Sequence, residues 1–379
     1  MSFRECVAIL LDLFMEAQIN VGVTHHFFRD GKIRHSDFNQ KSLSLTSRLG
    51  GRIAAAIFPV QITMHRIFID GQAGTTGLQI HKRLSDRSDI ELLEIAPEDR
   101  KDVQAKQSII GRADVVLLCL PDDAARETVR LDKAGNARFI DASTAHRVHP
   151  DWTYGLPEMT ATQRGAIASA RLVSNPGCYP TGFIIALKPL VDADVFRTES
   201  LVSISAISGY SGGGRQLIEK YEARAADSAP LWPIRPYALN LKHKHVPEMK
   251  TFTGLDIAPV FLPAVGHFHQ GMVISVPIFR HQLKSRLEPR DVQQILTERY
   301  AAEPCINVLD ANSDATLEEG FLDPQAANGT NRIDLGVYGH RDQMVLVARL
   351  DNLGKGAAGA AVQNLNLMLQ LPELEGLSL

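Results

Sequence analysis

The chain has 379 residues, with 40 Lys and Arg against 43 Asp and Glu and a formal net charge of −3. That length accommodates two domains with full cores, and the near-balanced charge argues against nucleic acid or an anionic membrane surface as partner. The four cysteines (Cys6, Cys119, Cys178 and Cys305) are scattered without a CxxC pair, which fits neither a zinc ribbon nor a disulfide framework and suits a reducing, cytoplasmic setting.

In chain order, the apolar run Cys6 to Met15 is short, contains Asp12 and lacks a small-residue cleavage site, so it is not read as a signal peptide. No run approaches the roughly 18 apolar residues of a membrane span. Residues 1–63 show weak periodicity and no motif. Phe38 to Phe58 is rich in Ser, Arg and Ala and nearly free of acids, a composition found in transit peptides. Met64-His65-Arg66 directly precedes the first good strand, so the expectation is an extension outside the fold or an over-long start.

Arg66 to Asp70 reads as a strand and runs straight into Gly71-Gln72-Ala73-Gly74-Thr75-Thr76-Gly77, followed by helix-like Leu78 to Leu84. A glycine turn between strand and helix lets a pyrophosphate approach the backbone and meet a helix N-terminus. The spacing is GxxGxxG, a weak signal alone, but strands expected at Glu91–Ala96, Asp114–Leu120 and Arg138–Asp141 alternate with helix-like Glu98–Ile110 and Asp122–Gly135. That rhythm predicts a doubly wound parallel sheet. The second strand, read through to Ala96, ends in no carboxylate for a free ribose hydroxyl. Arg100 and Lys101 follow and could meet a 2′-phosphate, which favours NADP over NAD; a solvated helix start is the alternative. Cys119 reads as core. Asp141 to Arg147 gathers polar groups at a strand's C-terminal end, where Arg147 could hold a carboxylate or phosphate or lie on the surface.

The chain is organised around Leu172 to Gly182, where an apolar run stops at Asn175-Pro176-Gly177 and presents Cys178 ahead of an apolar helix. A thiol at a helix N-terminus is expected to have a lowered pKa and to serve as a nucleophile; a buried structural cysteine is the alternative. Further on, Leu201–Ser208 leads into the glycine-rich loop Gly209 to Arg215 and a helix, Gln216–Ala226. Tyr237 precedes His243-Lys244-His245-Val246-Pro247-Glu248, where alternating histidines could face one site as base and then acid. His267 and His269 repeat the His-x-His spacing and raise a rival metal-site reading, disfavoured because no carboxylate sits at a third-ligand spacing. Two closing strands, Asp334–Tyr338 and Gln343–Leu350, lead into Asp351-Asn352 and an alanine-rich helix to Leu369, expected to return to the dinucleotide half with its start near the cofactor.

Taken together, Gly71 to Gly77, Asp141 to Arg147, Ser174 to Gly182, His243 to Glu248 and Asn352 to Ala358 resemble the N-acetyl-gamma-glutamyl-phosphate reductases of arginine biosynthesis, in their shorter bacterial form. The resemblance covers Met64 to about Leu371. It implies an α/β protein with a Rossmann-type NADP-binding domain (64–177 and 352–379) and an α+β catalytic and oligomerisation domain of the semialdehyde-dehydrogenase type (178–351). It also implies NADP(H)-dependent reduction of an acyl phosphate to an aldehyde through a Cys178 thioester. His245 or His243 would move protons, and Gly71, Gly74, Thr75, Thr76, Gly77, Arg100 and Asn352 would meet the cofactor. Arg147, Tyr237, Arg215 and Glu248 would hold substrate. No metal is implied, and a homo-dimer or homo-tetramer is expected. The alternatives are a sister reductase such as aspartate-semialdehyde dehydrogenase, a metal-dependent hydrolase built on the His-x-His pairs, and a non-catalytic NADP sensor.

Overall fold

The computed structural model describes residues 64–226 and 230–379; the expectations for residues 1–63 lie outside them. The first sheet is built from β1 (His65–Asp70), β2 (Ile90–Leu93), β3 (Val115–Leu118), β4 (Arg138–Asp141), β5 (Thr153–Tyr154) and β6 (Leu172–Ser174). All its pairings are parallel, in the order β2-β1-β3-β4-β6-β5. Its strands are apolar on both faces because both faces are covered. Ile67, Ile69, Val115 and Leu117 pack with Ile80 and Leu84 of helix α1 (Thr75–Leu84). Phe68, Val116, Leu118 and Phe139 pack with Ile109 and Ile110 of α2 (Val103–Arg112) and Ala125 of α3 (Asp122–Leu131).

Strand β2 is shorter than its sequence pattern suggests, ending at Leu93 rather than Ala96. Pro97 opens a 3₁₀ turn, Pro97–Lys101, and holds the residue before it extended, which pulls the chain away from the ladder. The helix expected over Glu98–Ile110 is therefore divided. Its α-helical part starts after Asp102, whose carboxylate accepts the Ala105 N–H at 2.9 Å as an N-cap.

After α4 (Gln163–Ser169) and β6, helix α5 (Cys178–Asp192) crosses into a second core. A seven-stranded mixed sheet follows, formed by β7 (Ser203–Gly209), β8 (Arg235–Pro236), β9 (Val260–Gly266), β10 (Met272–Phe279), β11 (Ile306–Val308), β14 (Ile333–His340) and β15 (Gln343–Leu350). Its order is β11-β14-β15-β10-β7-β9-β8, and a small hairpin, β12 (Leu317–Glu318) with β13 (Phe321–Leu322), stands apart. Helix α5 is apolar almost all round because it is buried almost all round, its Phe183, Ile184 and Leu187 meeting Ile274, Val276 and Leu346. Helices α6 (Arg215–Ala226), α7 (Val246–Thr253) and α8 (Pro289–Tyr300) complete this part. The last segment makes a π-turn, Gly354–Ala358, then α9 (Gly359–Met368), whose Ala361, Val362 and Leu365 join the core of the first sheet beside Ile67 and Ile80. Among the described residues, no helix is long and apolar enough to cross a membrane.

Candidate active site

The glycine turn after β1 is fixed by close approach of main chains. Gly71 has φ +91, and a Cβ there would stand 2.3 Å from the Cys119 carbonyl oxygen, so no other residue fits without moving the β3 end. Gly74 occupies the N-cap of α1, where no side chain accepts an end N–H and no acidic residue sits in the first turn. Those uncapped N–H groups and the helix dipole suit an anion. The turn lies where the strand order reverses between β1 and β3, the usual ligand position in such sheets. On one side, Gln72 and Ala73 line a cleft with Leu78, Glu94 and Arg100. On the other, Thr75 and Thr76 line a cavity with Arg147, Cys178, His243, His245 and Asn352. The residues present therefore fit a dinucleotide laid across the turn, with its redox end toward Cys178. The side chain of Lys101 lies outside the described residues.

Cys178 is the first residue of α5, with Gly177 as N-cap. Pro180 is tolerated so early because its missing N–H falls among those a helix start leaves unbonded. A Cβ on Gly177 would lie 2.6 Å from Arg147 Nη1 and 2.8 Å from both Glu248 Oε1 and His245 Cε1, so the turn is enclosed by charged and titratable groups. Behind Cys178, the π-turn passes so close that a Cβ on Gly356 would be 2.8 Å from the Cys178 Cβ. Asn175 ties the two segments, donating to the Ala357 carbonyl at 3.0 Å and accepting from Asn364 at 3.0 Å.

The expected lowering of the Cys178 pKa is not what this enclosure produces. Burial pushes the thiol up to about 11, against the downward pull of Arg147 and the N–H groups of Tyr179 and Cys178. The thiol therefore needs a base. Burial also holds His243 down, to about 4, and His245 well below the usual imidazole range, with Arg147 and Lys244 adding to both shifts. Both rings are neutral at physiological pH. They differ in what their nitrogens do. His243 Nδ1 accepts the His245 main-chain N–H at 3.1 Å, which leaves its Nε2 to carry hydrogen toward Tyr237 Oη at 3.4 Å. His245 Nδ1 is buried without a hydrogen-bond partner among the described residues.

Glu248, expected to touch substrate, requires correction. Its carboxylate is 1% exposed and fully engaged, accepting from Arg147 Nη1 at 2.7 Å, Tyr154 Oη at 2.9 Å and the Gly177 N–H at 3.1 Å. It holds the cysteine turn rather than a ligand, and Arg147 is correspondingly half engaged, with Nη2 on the Ala142 carbonyl at 3.0 Å and Nε buried and unpartnered among the described residues. Arg215 also departs from expectation. Its side chain is 70% exposed, pairs with Glu219 one helical turn along α6 at 2.7 Å, and lies off the walls of both cavities. Asn352 lines the cysteine cavity, but its amide bridges Gly271 N–H at 2.7 Å and Ser211 Oγ at 3.0 Å. Tyr237 stands between the cysteine cavity and a neighbouring cavity of about 440 Å³. The neighbour is walled by Leu217, Tyr221, Pro236 and Val265, with Arg235 and Lys244 as its cations.

Cys119 is set aside chemically, its thiol pushed up to about 12 by burial. His267 and His269 stand beyond the end of β9 beside Tyr210 rather than in the cysteine cavity. Among the described residues, no three His, Cys, Asp or Glu side chains converge as metal ligands would. Tyr154, Tyr179 and the buried Lys355–Glu158 pair are structural supports that the sequence pattern did not single out. Of these, Tyr179 and Lys355 lie within the cysteine and Asn352–Ala358 motifs, whereas Tyr154 and Glu158 carried no local signal. Lys355 Nζ bonds Glu158 Oε1 at 2.7 Å and anchors the π-turn behind Cys178.

Two family profiles match successive parts of the chain. The semialdehyde dehydrogenase NAD-binding domain profile matches residues 66–167, and the semialdehyde dehydrogenase dimerisation domain profile matches residues 178–352. The chain is 46% identical over 318 residues to N-acetyl-gamma-glutamyl-phosphate reductase 2 of Nostoc sp., covering 82% of this chain and 99% of that one. It is 48% identical over 307 residues to the N-acetyl-gamma-glutamyl-phosphate reductase of Brucella suis, covering 80% and 98%. Among solved structures, aspartate semialdehyde dehydrogenase from Francisella tularensis superposes with a TM-score of 0.64 at 16% identity, over 81% of this chain and 100% of that one. That likeness shows the fold.

Proposed function

The chain belongs to the N-acetyl-gamma-glutamyl-phosphate reductase family, and from that premise we propose how its site works. It reduces N-acetyl-L-glutamyl 5-phosphate to N-acetyl-L-glutamate 5-semialdehyde with release of phosphate, a step of arginine biosynthesis. NADP(H) is the cofactor favoured by Arg100 in the cleft beside the glycine turn. The observation that carries the reading is Cys178 at a helix start, in one cavity with the glycine-turn threonines, Arg147 and two neutral histidines.

His245 takes the thiol proton, because its Nδ1 is unengaged whereas both nitrogens of His243 are occupied. The Cys178 sulfur attacks the acyl carbon, the bond from that carbon to the phosphate oxygen breaks, and phosphate leaves a thioester. Main-chain N–H groups at the start of α5 steady the oxyanion, an effect worth about 3 kcal/mol per donor. A nicotinamide dinucleotide held by the glycine turn, Thr75 and Thr76 would supply the hydride chemistry at the thioester carbon. The alkoxide then collapses to aldehyde, expelling the cysteine sulfur, which recovers its proton from His245. Arg235 and Lys244 offer the substrate's carboxylate a pair of cations, and the wall of Leu217, Tyr221 and Val265 receives its apolar part.

The outer face of the second sheet supports self-association as a dimer or tetramer. Val260 and Leu262 of β9 are exposed there at 43% and 46%, and across β7 on the same sheet Val273 of β10 and Val347 of β15 are half-buried. Light scattering on the purified chain checks this, a monomer being the contrary result.

The decisive assay runs the reaction backward, following NADP⁺ reduction with N-acetyl-glutamate semialdehyde and phosphate. Wild type is expected to be active and Cys178→Ser to lose about 10⁴-fold in kcat. Activity on aspartate semialdehyde alone would move the assignment to the sister reductase, and a fully active serine variant would end the thioester mechanism.

A further inference from the structure

Because β2 stops at Leu93, the residue at its C-terminal end is Glu94, about 20 residues beyond the glycine turn. The longer strand expected from sequence hides this position. Glu94 lines the whole cleft on the far side of the turn from Cys178, with Gln72, Ala73 and Arg100 in one part and Asp70, Lys106 and Leu120 in the other. Lys106 is engaged with Asp70, Nζ to Oδ2 at 2.9 Å, and Thr128 Oγ1 donates to the same oxygen. Glu94 and Arg100 are thus an exposed anion and an exposed cation on one cleft wall.

In a sheet wound this way, a carboxylate at the end of the second strand accepts from the ribose hydroxyls of a dinucleotide, and a nearby guanidinium accommodates a 2′-phosphate. A carboxylate also repels that phosphate. Each group alone sets one preference; here they oppose each other. We propose that Glu94 and Arg100 make this ribose subsite accept both NAD(H) and NADP(H), with Glu94 limiting the preference for the 2′-phosphate. The proposal rests on the nicotinamide reading of the cleft.

Titration calorimetry of the full chain with NAD⁺ and with NADP⁺ tests it without relying on turnover. Wild type is expected to bind the two with Kd values within about tenfold of each other. Glu94→Gln should tighten NADP⁺ by about fivefold and weaken NAD⁺, while Arg100→Gln should weaken NADP⁺ and leave NAD⁺ nearly unchanged. Wild-type preference for NADP⁺ beyond about 100-fold, or a ratio unmoved by Glu94→Gln, would overturn the proposal while leaving the cofactor reading intact. Binding of neither dinucleotide would overturn both.

Discussion

Two turns leave the C-terminal edge of the same parallel sheet, and each opens a helix. After β1, Gly71 to Gly74 is a main-chain device: its shape follows from one close approach to the Cys119 carbonyl, and the uncapped N–H groups that follow it need no side chain to act. After β6, Asn175 to Cys178 is held by others. Arg147 and Tyr154, with His245 and Glu248 from the start of α7, reach in from distant parts of the sequence to enclose it, and the π-turn closes its back. An anion cradle can be specified locally. A reactive thiol must be both positioned and desolvated, and only distant residues do that.

The contrast breaks most sharply at Glu248. Removing it as Glu248→Ala leaves the buried Arg147 guanidinium without its anion, and urea unfolding should show a loss of about 3–5 kcal/mol. Next in size is Gly177→Ala, where the added methyl drives Arg147, Glu248 and His245 apart. We expect about a 100-fold drop in kcat with NADP⁺ affinity retained. Gly71→Ala should do the converse, weakening the dinucleotide while alkylation of Cys178 proceeds at the wild-type rate.

Acid sharpens the comparison further, since burial in the cysteine cavity holds both His243 and His245 below the usual imidazole range. The unfolded chain takes up a proton on His243 at about 6.5, while the folded one resists until about 4. Protons therefore favour unfolding in that window, and stability should fall as pH drops through it. Thermal melts of His243→Asn should show a shallower decline. The smallest effect is expected at Arg215, where Arg215→Ala should change kcat/KM by less than about twofold, its guanidinium being solvated and paired only along α6.

How far the fold and site could be read in sequence follows the same division. The strand–glycine–helix junctions, the cysteine at a helix start and the closing strand Gln343–Leu350 are local patterns, and each stands where its residues predict. Glu248 was a candidate substrate ligand through the family resemblance alone. Only the fold reveals that its partners are Arg147 and Tyr154, far away in sequence. The thiol's raised pKa was equally hidden, since a helix start argues one way and burial, invisible in sequence, argues the other more strongly. Glu94 was concealed by a strand end misplaced because an apolar pattern continues after pairing has stopped.

The return of α9 to the first sheet has a consequence for how the protein is made. Val362 and Leu365 cover a face whose other residues, Ile67 and Ile69, are synthesised almost at the start of the fold, and Arg87 hydrogen-bonds Asn366 at 2.6 Å. On the ribosome that face has only the partial cover of Ile80 and Leu84 from α1 and Ile167 from α4 until the final helix has emerged. The dinucleotide half must therefore finish folding after translation, holding a partly uncovered apolar face while the whole second core is being synthesised, a stage at which chaperone binding or aggregation competes with the native docking.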